Sequence, residues 1–439
     1  MKSKAKKSKT SARAKSASAA LSPVLRDASR HLMNTYKRSD MIFTHGRGCY
    51  VFDQNGKKYL DFLGGIAVNA LGYSYPDLVR TIRREAGRAV HVSNLFHNPF
   101  QGPLAAKLAK WSRMDRVFFS NSGSEAIEGA LKLARVAARK KSGGVGSKTR
   151  ILALENSFHG RTFGALSITH TPKYREPFEP LVPGVDFVRF NDVADLEAKF
   201  SGNVCAIVIE PVQGEGGIFP VSEIFWKRAR ELATQHGVAL IADEIQCGLG
   251  RTGRAFAYQR FTGLPDIVVV AKPLAGGLPL GAFLAREEIA EAFVPGLHGS
   301  TFGGGPLVCA TALTFLDTVE RKQLLANVRA RGAELRAGLK KLAAKFDFIR
   351  EVRGEGLMLG VDLDVEGASY VAEALKQGLL INCTHDHILR LLPPFILTAQ
   401  QVKEGLSKLE SVLAKTERPA ELQAVPSTTA AAQSLAAAR

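Results

Sequence analysis

Short apolar runs alternate with amphipathic stretches through the middle of the chain. Five largely apolar runs stand out, at residues 117–120, 151–155, 205–210, 238–242 and 267–271. Runs of this length, rich in branched aliphatic residues, are typical of strands buried on both faces of a parallel sheet. Helical patterns separate them, for example over residues 222–236. The alternation over residues 116–284 therefore predicts an α/β fold with a doubly wound, mostly parallel sheet.

The pattern changes in the last quarter of the chain. Helical periodicity over residues 320–346 gives way to three strand-like runs and a closing helix at 398–415. This order favours a second, smaller α+β domain. We predict five segments: a disordered basic tail (1–27), an N-terminal segment that joins the small domain (28–92), a large ligand-binding domain (93–318), the small domain (319–415) and a disordered tail (416–439).

Two of the buried runs lead directly into ionisable residues, Asp243 and Lys272. Ligands of open α/β sheets bind beyond the carboxyl ends of the strands, so the two side chains could face one ligand. An amine and a carboxylate suit pyridoxal phosphate, because the amine can bond the aldehyde and the carboxylate can keep the pyridine nitrogen protonated. Pro273 is expected to keep Lys272 extended. Each residue alone is equally typical of a solvated strand end.

Two further stretches follow strands and could contact the same ligand. Ser122, Gly123 and Ser124 form a strand-to-helix turn, which can bind a phosphate through backbone N–H groups or simply cap the helix. In the second stretch, Phe158 offers a ring that could stack on a flat cofactor. Arg161 could form a forked pair with a carboxylate, although an ordinary surface arginine fits the same pattern.

Composition and charge limit the remaining classes of function. The 439 residues carry a net charge of +18, and a lysine-rich opening stretch contributes strongly to it. That stretch could be a transit peptide or a nucleic-acid-binding tail, but its low complexity favours a disordered extension. No apolar run reaches the roughly 18 residues of a membrane span. Five scattered cysteines without metal-ligand spacing indicate a reduced, cytoplasmic compartment and no metal site.

A series of motifs carries a resemblance to a known family. LMNTYKR, LDFLGGIAVNALG, HVSNLF, FFSNSGSEA, SFHGRT, IEPVQGEGG, ADEIQCGLGRTG and HGSTFGG occur in this order. From about Leu32 to about Leu413 the chain resembles the class III aminotransferases of the fold-type I pyridoxal phosphate enzymes. The resemblance implies a large domain with a seven-stranded-type sheet, a smaller α+β domain, pyridoxal 5'-phosphate as cofactor, and a homodimer with shared active sites.

The resemblance also assigns roles around the cofactor. Lys272 is expected to hold it covalently and then to move a proton, and Asp243 to pair with its ring nitrogen. Gln246 is expected near the ring hydroxyl and Phe158 on the ring face. The remaining cofactor contacts, all to the phosphate, are Ser122, Gly123, Ser124 and, from the partner subunit, Thr301.

Substrate roles follow in the same way. Arg161 resembles the arginine that binds the carboxylate of an ornithine-type donor, and Arg390 the one that binds the α-carboxylate of glutamate or 2-oxoglutarate. Glu215 resembles the acidic residue that pairs with this second arginine when it is not in use. Ser300 is a further candidate contact, and the aliphatic Ile66 favours an acylated donor amine.

The activity expected from the resemblance is transfer of the terminal amine of N2-acetylornithine to 2-oxoglutarate, a step of arginine biosynthesis. Succinylornithine, 4-aminobutyrate and aminoadipate semialdehyde are alternative substrates within the family. A non-catalytic nucleic-acid-binding or regulatory protein is an alternative from another class, suggested by the basic N-terminal stretch. A racemase or isomerase on the same fold is a third hypothesis.

Overall fold

The computed structural model describes residues 22–142, 144 and 148–416. Backbone contacts divide the chain into two units, with the boundary between Phe43 and Thr44. Most of both predicted tails lies outside the described residues. The first helix, Pro23–His31, begins inside the segment 1–27 that we predicted to be disordered. The hydroxyl of Ser22 caps this helix by accepting the N–H of Leu25 at 3.3 Å.

The helices and strands are numbered in chain order. The strands are β1 Phe43–Arg47, β2 Tyr50–Asp53, β3 Lys58–Asp61, β4 Arg116–Ser120, β5 Arg150–Leu154, β6 Val185–Val188, β7 Val204–Ile209, β8 Val212–Gln213, β9 Phe219–Pro220, β10 Ala239–Asp243, β11 Ile267–Val270, β12 Gly281–Ala285, β13 Ile349–Glu355, β14 Met358–Leu363, β15 Leu379–Leu380, β16 Asn382–Thr384 and β17 Ile388–Leu391.

The α-helices are α1 Pro23–His31, α2 Gly64–Ala67, α3 Pro76–Ala86, α4 Gln101–Ser112, α5 Gly123–Lys141, α6 Phe163–Ser167, α7 Pro172–Arg175, α8 Val193–Lys199, α9 Glu223–His236, α10 Glu287–Ala290, α11 Pro306–Arg321, α12 Leu324–Lys345, α13 Ala368–Lys376 and α14 Ala399–Lys415. Three short 3₁₀ helices cover Glu176–Phe178, Ala257–Arg260 and Lys272–Ala275.

A seven-stranded sheet organises the larger unit, in the order β4-β12-β11-β10-β7-β5-β6. The pairs from β11 to β6 are parallel, whereas β12 runs antiparallel to both of its neighbours. Successive residues of β10 pack into different cores, since Leu240 and Ala242 belong to one apolar cluster and Ile241 to the other. The sheet is therefore covered on both faces, as the uninterrupted apolar runs predicted.

The C-terminal part forms a four-stranded antiparallel sheet in the order β13-β14-β17-β16. Helices α12 and α14 pack together, and α12 also covers β13. Arg390 lies on β17 opposite Gly360 of β14, so its side chain projects from the middle of this sheet. A separate parallel pairing of β15 with β3 joins residues far apart in the chain, with Leu379 opposite Leu60. Within the described ranges, no helix is long and apolar enough to span a bilayer.

Candidate active site

One cavity of about 320 Å³ lies where several strands of the large sheet end. Residues that follow β4, β5, β7, β10 and β11 all reach it, because the carboxyl ends of neighbouring parallel strands meet at one edge. It is lined by Val68, Asn121, Ser122, Gly123, Ser124, Phe158, His159, Gly160, Glu210, Ile245, Gln246, Ala271, Lys272, Gly277, Leu278, Pro279 and Leu280.

Lys272 enters the cavity through an unusual backbone conformation. Its φ of 44° lies in the left-handed region, so the expectation of an extended residue was wrong. Pro273 disfavours the right-handed helical region for the residue before it but leaves the left-handed region open. Such a conformation costs about 1–3 kcal/mol and persists where the surroundings impose it. Burial lowers the pKa of the Lys272 amine, although the charge of Asp243 opposes the shift, so the nucleophilic neutral form is easier to reach than in a solvated lysine.

Asp243 is 3% exposed and does not line the cavity itself, but it contacts His159, which does. Its Oδ2 atom accepts a hydrogen bond from Nδ1 of His159 at 2.7 Å, and its Oδ1 atom accepts the N–H of Ile245 at 3.0 Å. Burial by itself would lower the pKa of His159, but the hydrogen bond and the charge of Asp243 raise it overall. Among the described residues, Nε2 of His159 is buried without a hydrogen-bond partner.

Glu210 is a second buried carboxyl group in the cavity, and the sequence motifs alone did not assign it a role. It follows β7, which lies between β10 and β5, so strand order places it between Asp243 and the loop of His159. Its two oxygens accept the N–H groups of Phe158 and Gly214 at 3.1 and 3.0 Å. Burial raises the pKa of Glu210 to about 7, although His159 and these N–H groups lower it.

The serine–glycine turn begins the 19-residue helix α5 at the edge of the cavity. Ser122 caps this helix through its hydroxyl, which accepts the N–H of Glu125 at 3.2 Å. The backbone N–H groups of a helix start favour an anion, so capping and phosphate binding are compatible here. A Cβ atom added to Gly123 would lie 2.9 Å from the Ile245 side chain, which makes glycine the fitting residue at this close approach.

The two candidate substrate arginines have different surroundings. Arg390 is 1% exposed, and its Nη1 atom donates to Glu215 at 2.7 Å and to Gln246 at 3.2 Å. Gln246 lines the cavity, so this ion pair borders it directly. Arg161 is exposed, with its guanidinium carbon 5.5 Å from the centroid of the Phe158 ring.

The other expected residues lie outside the cavity lining. Ser300 accepts a hydrogen bond from the amide of Asn121 at 3.3 Å and is therefore one residue removed from the cavity. Thr301 and Ile66 are both exposed and do not line the cavity of their own chain. Ile66 has a φ of 60°, a left-handed conformation that is rare for a β-branched residue.

These residues fit the cofactor that the sequence suggested. One cavity is lined by an amine of lowered pKa, an aromatic ring and a helix start that favours an anion. A buried carboxylate contacts this lining through His159. Pyridoxal phosphate requires this set of groups: an amine for the aldehyde, an acid partner for the ring nitrogen and a site for the phosphate. Lys272, Asp243, Phe158 and the turn at residues 122–124 would hold it.

Comparison with known proteins gives concordant matches over most of the chain. Residues 33–413 match the family model "Aminotransferase class-III". The acetylornithine aminotransferase of Aquifex aeolicus is 45% identical over 385 residues, which are 87% of this chain and 100% of that protein. The corresponding enzyme of Methanocaldococcus jannaschii is 42% identical over 389 residues, or 89% and 97%.

Solved structures agree with these matches. The acetylornithine aminotransferase of Elizabethkingia anophelis superposes with a TM-score of 0.80 at 32% identity, covering 89% of this chain and 98% of that chain. The ornithine aminotransferase of Toxoplasma gondii gives a TM-score of 0.86 at 32% identity, covering 89% and 94%. The fold expected from the sequence is thereby confirmed.

The raised pKa of Glu210 can be tested through the pH dependence of stability. Its folded-state pKa of about 7 is above the ordinary 4.5, so the stability linked to its proton is complete below pH 4.5 and is lost as the pH rises to 7. The Glu210→Gln variant cannot ionise and should lose this dependence. From about pH 5 to about pH 8 we expect its stability relative to the wild type to rise by up to roughly 3 kcal/mol.

The measurement is the thermal unfolding midpoint of both proteins across this range, at fixed ionic strength and cofactor concentration. The matched control is the exposed Glu288→Gln, whose difference from the wild type should stay constant with pH. A constant difference for Glu210→Gln as well would show that Glu210 does not titrate near neutral pH.

Proposed function

The chain belongs to the class-III aminotransferases, and from this membership we propose that it transfers the terminal amine of N2-acetylornithine to 2-oxoglutarate, giving N-acetylglutamate semialdehyde and glutamate. The enzyme is a transaminase that depends on pyridoxal phosphate. The identity of 42–45% to acetylornithine aminotransferases supports the choice of donor. The observation that carries the proposal is one cavity lined by Lys272, Phe158 and Gln246. The exposed Arg161 lies beside Phe158, and the paired Arg390 donates a hydrogen bond to Gln246.

The residues in and around the cavity have separate roles in the proposed reaction. Pyridoxal phosphate, when bound, supplies an aldehyde that accepts the amine and a ring that withdraws electrons. The Nζ atom of Lys272 would hold the cofactor and, once released, would accept and return the proton of the reacting carbon. Asp243 would pair with the ring nitrogen, and His159 fixes the orientation of Asp243 through the 2.7 Å hydrogen bond. Phe158 provides an apolar surface for the ring.

The two substrates place different demands on the arginines. N2-acetylornithine carries its carboxylate far from the reacting amine, where Arg161 would bind it. Glutamate carries a carboxylate beside the reacting amine, where Arg390 would bind it. Glu215 pairs with Arg390 at 2.7 Å in the structure, and this pair would persist while acetylornithine is bound. A buried arginine without a partner would cost several kcal/mol, so this pairing lets one cavity serve both half-reactions.

Steady-state kinetics with a panel of donors tests the proposal. We expect kcat/KM to be highest for N2-acetylornithine, lower for N2-succinylornithine and ornithine, and lowest for 4-aminobutyrate, with strict dependence on 2-oxoglutarate. The Lys272→Ala variant, which lacks the amine that holds the cofactor, is the inactive control. A higher kcat/KM for 4-aminobutyrate would refute the proposed donor, and turnover without 2-oxoglutarate would indicate an isomerase.

Glu215 should affect the two substrates in opposite directions. In Glu215→Gln the partner charge of Arg390 is lost, so we expect the KM for glutamate to fall and kcat/KM for N2-acetylornithine to drop about tenfold, the effect of one charged hydrogen bond. The control is Glu287→Gln, which removes the acidic partner of the exposed Arg116 at the start of β4. Equal losses for both substrates would contradict a gating role.

A homodimer is the second part of the proposal. Leu95, Phe96 and Phe302 are 86%, 69% and 65% exposed. They form one apolar patch, because the amide of Asn94 donates to the carbonyls of Ser300 and Gly303 and so joins the two loops. Contiguous exposed apolar surface of this kind marks an interaction site. A second copy that covers the patch would bring the neighbouring Thr301 towards the other subunit's cavity.

Sedimentation velocity measures the assembly state. We expect the wild type at about twice the 47.4 kDa of one chain. The Leu95→Asp variant should dissociate and lose activity, because a charge would be buried at the interface. Ile224→Asp, a charge on another exposed apolar residue, is the control and should remain dimeric. A wild type that sediments as a fully active monomer would exclude shared active sites.

A further inference from the structure

Tyr174 is an aromatic residue of the short helix α7 that lies beside two residues of the site. Its ring centroid is 3.7 Å from the guanidinium carbon of Arg161. Its ring also meets the ring of Phe158 edge to face, with centroids 6.3 Å apart and an angle of 85°. A distance of 3.7 Å is that of a guanidinium lying flat on an aromatic face. Tyr174 therefore touches both the candidate carboxylate-binding arginine and the ring expected beside the cofactor.

The stacking leaves the guanidinium available for a ligand. Arg161 is exposed, and within the described part of the chain its guanidinium donates to no acceptor and forms no ion pair. The N–H groups of a guanidinium point outward in its plane, so a ring on its face blocks none of them. A long exposed side chain without such a contact would populate many rotamers, and ordering it on binding would cost affinity.

The short helix that carries Tyr174 contacts residues at β5 and β6 on either side of this tyrosine. The N–H of His170 donates to the carbonyl of Ser157, just after β5, at 3.0 Å. The guanidinium carbon of Arg175, the next residue after Tyr174, lies 4.7 Å from the ring centroid of Phe187 on β6. The short helix is thus anchored at the loop before it and at its last residue, and the ring between these anchors has a fixed place.

We propose that Tyr174 is a positioning residue for the donor carboxylate: it holds the guanidinium of Arg161 in the orientation that receives the carboxylate remote from the reacting amine. The inference rests on the proposed function for the role of Arg161. It concerns only the remote carboxylate: the α-carboxylate of glutamate would use Arg390, whereas the side-chain carboxylate of glutamate lies away from the reacting amine and would share Arg161. A purely structural role, support of the Phe158 ring, would instead weaken binding of the cofactor as well.

The test compares Tyr174→Leu and Tyr174→Phe as holoenzymes. The probe is N2-acetylnorvaline, which has the carboxylate and acetyl group of acetylornithine but no terminal amine, and its Kd is measured by titration calorimetry. Loss of a cation–π contact at an exposed site should raise this Kd about two- to fivefold in Tyr174→Leu. The cofactor Kd should stay unchanged, and Tyr174→Phe, which keeps the ring, should restore probe binding.

The matched control is Phe178→Leu, which removes an exposed ring four residues further along the chain. An unchanged probe Kd in Tyr174→Leu would overturn the inference. A parallel rise in the cofactor Kd would also overturn it, in favour of the structural role. Failure of the wild type to use acetylornithine would refute the proposed function instead. The Kd values of probe and cofactor would then be compared again, with a probe that is the best donor of the panel without its reacting amine.

Discussion

The chemistry of the site depends on the parallel pairing of β10 with β11. Their register sets Asp243 opposite Val269, so Lys272 follows only three residues beyond that point on the neighbouring strand. Both strands are buried on both faces, and a shift by one residue would turn every side chain to the other face. The apolar residues that stabilise the sheet thereby also fix the distance between the carboxylate and the amine.

This arrangement leaves several ionisable groups in one poorly hydrated space, where each influences the charge of the next. Burial lowers the pKa of Lys272 and raises that of Glu210, and both shifts reduce the number of buried charges. Asp243 has different hydrogen-bond partners, because His159 and the N–H of Ile245 donate to it. Glu210 accepts two backbone N–H groups instead, so the two buried carboxyl groups near the cavity lie in different surroundings.

The sequence predicted the buried strands and the residues directly at their ends, because apolar periodicity and strand direction are local properties. It did not identify Glu210 as a site residue, since its place depends on β7 lying between β10 and β5. Nor did it find Tyr174, whose contact with Arg161 bridges two loops. The backbone of Lys272 was predicted wrongly, because proline restricts the preceding residue to more than one region and the tertiary structure selects among them.

The two arginines illustrate how burial decides the kind of support that a charged residue needs. Arg390 is almost fully enclosed, so desolvation must be offset by an opposite charge whenever a substrate carboxylate is absent. Glu215 is close enough to do this, and its side chain is 29% exposed, which leaves it room to move away. Arg161 remains hydrated and needs no counterion, so an aromatic face suffices to orient it. An ion pair there would compete with the ligand, whereas a ring leaves every N–H group free.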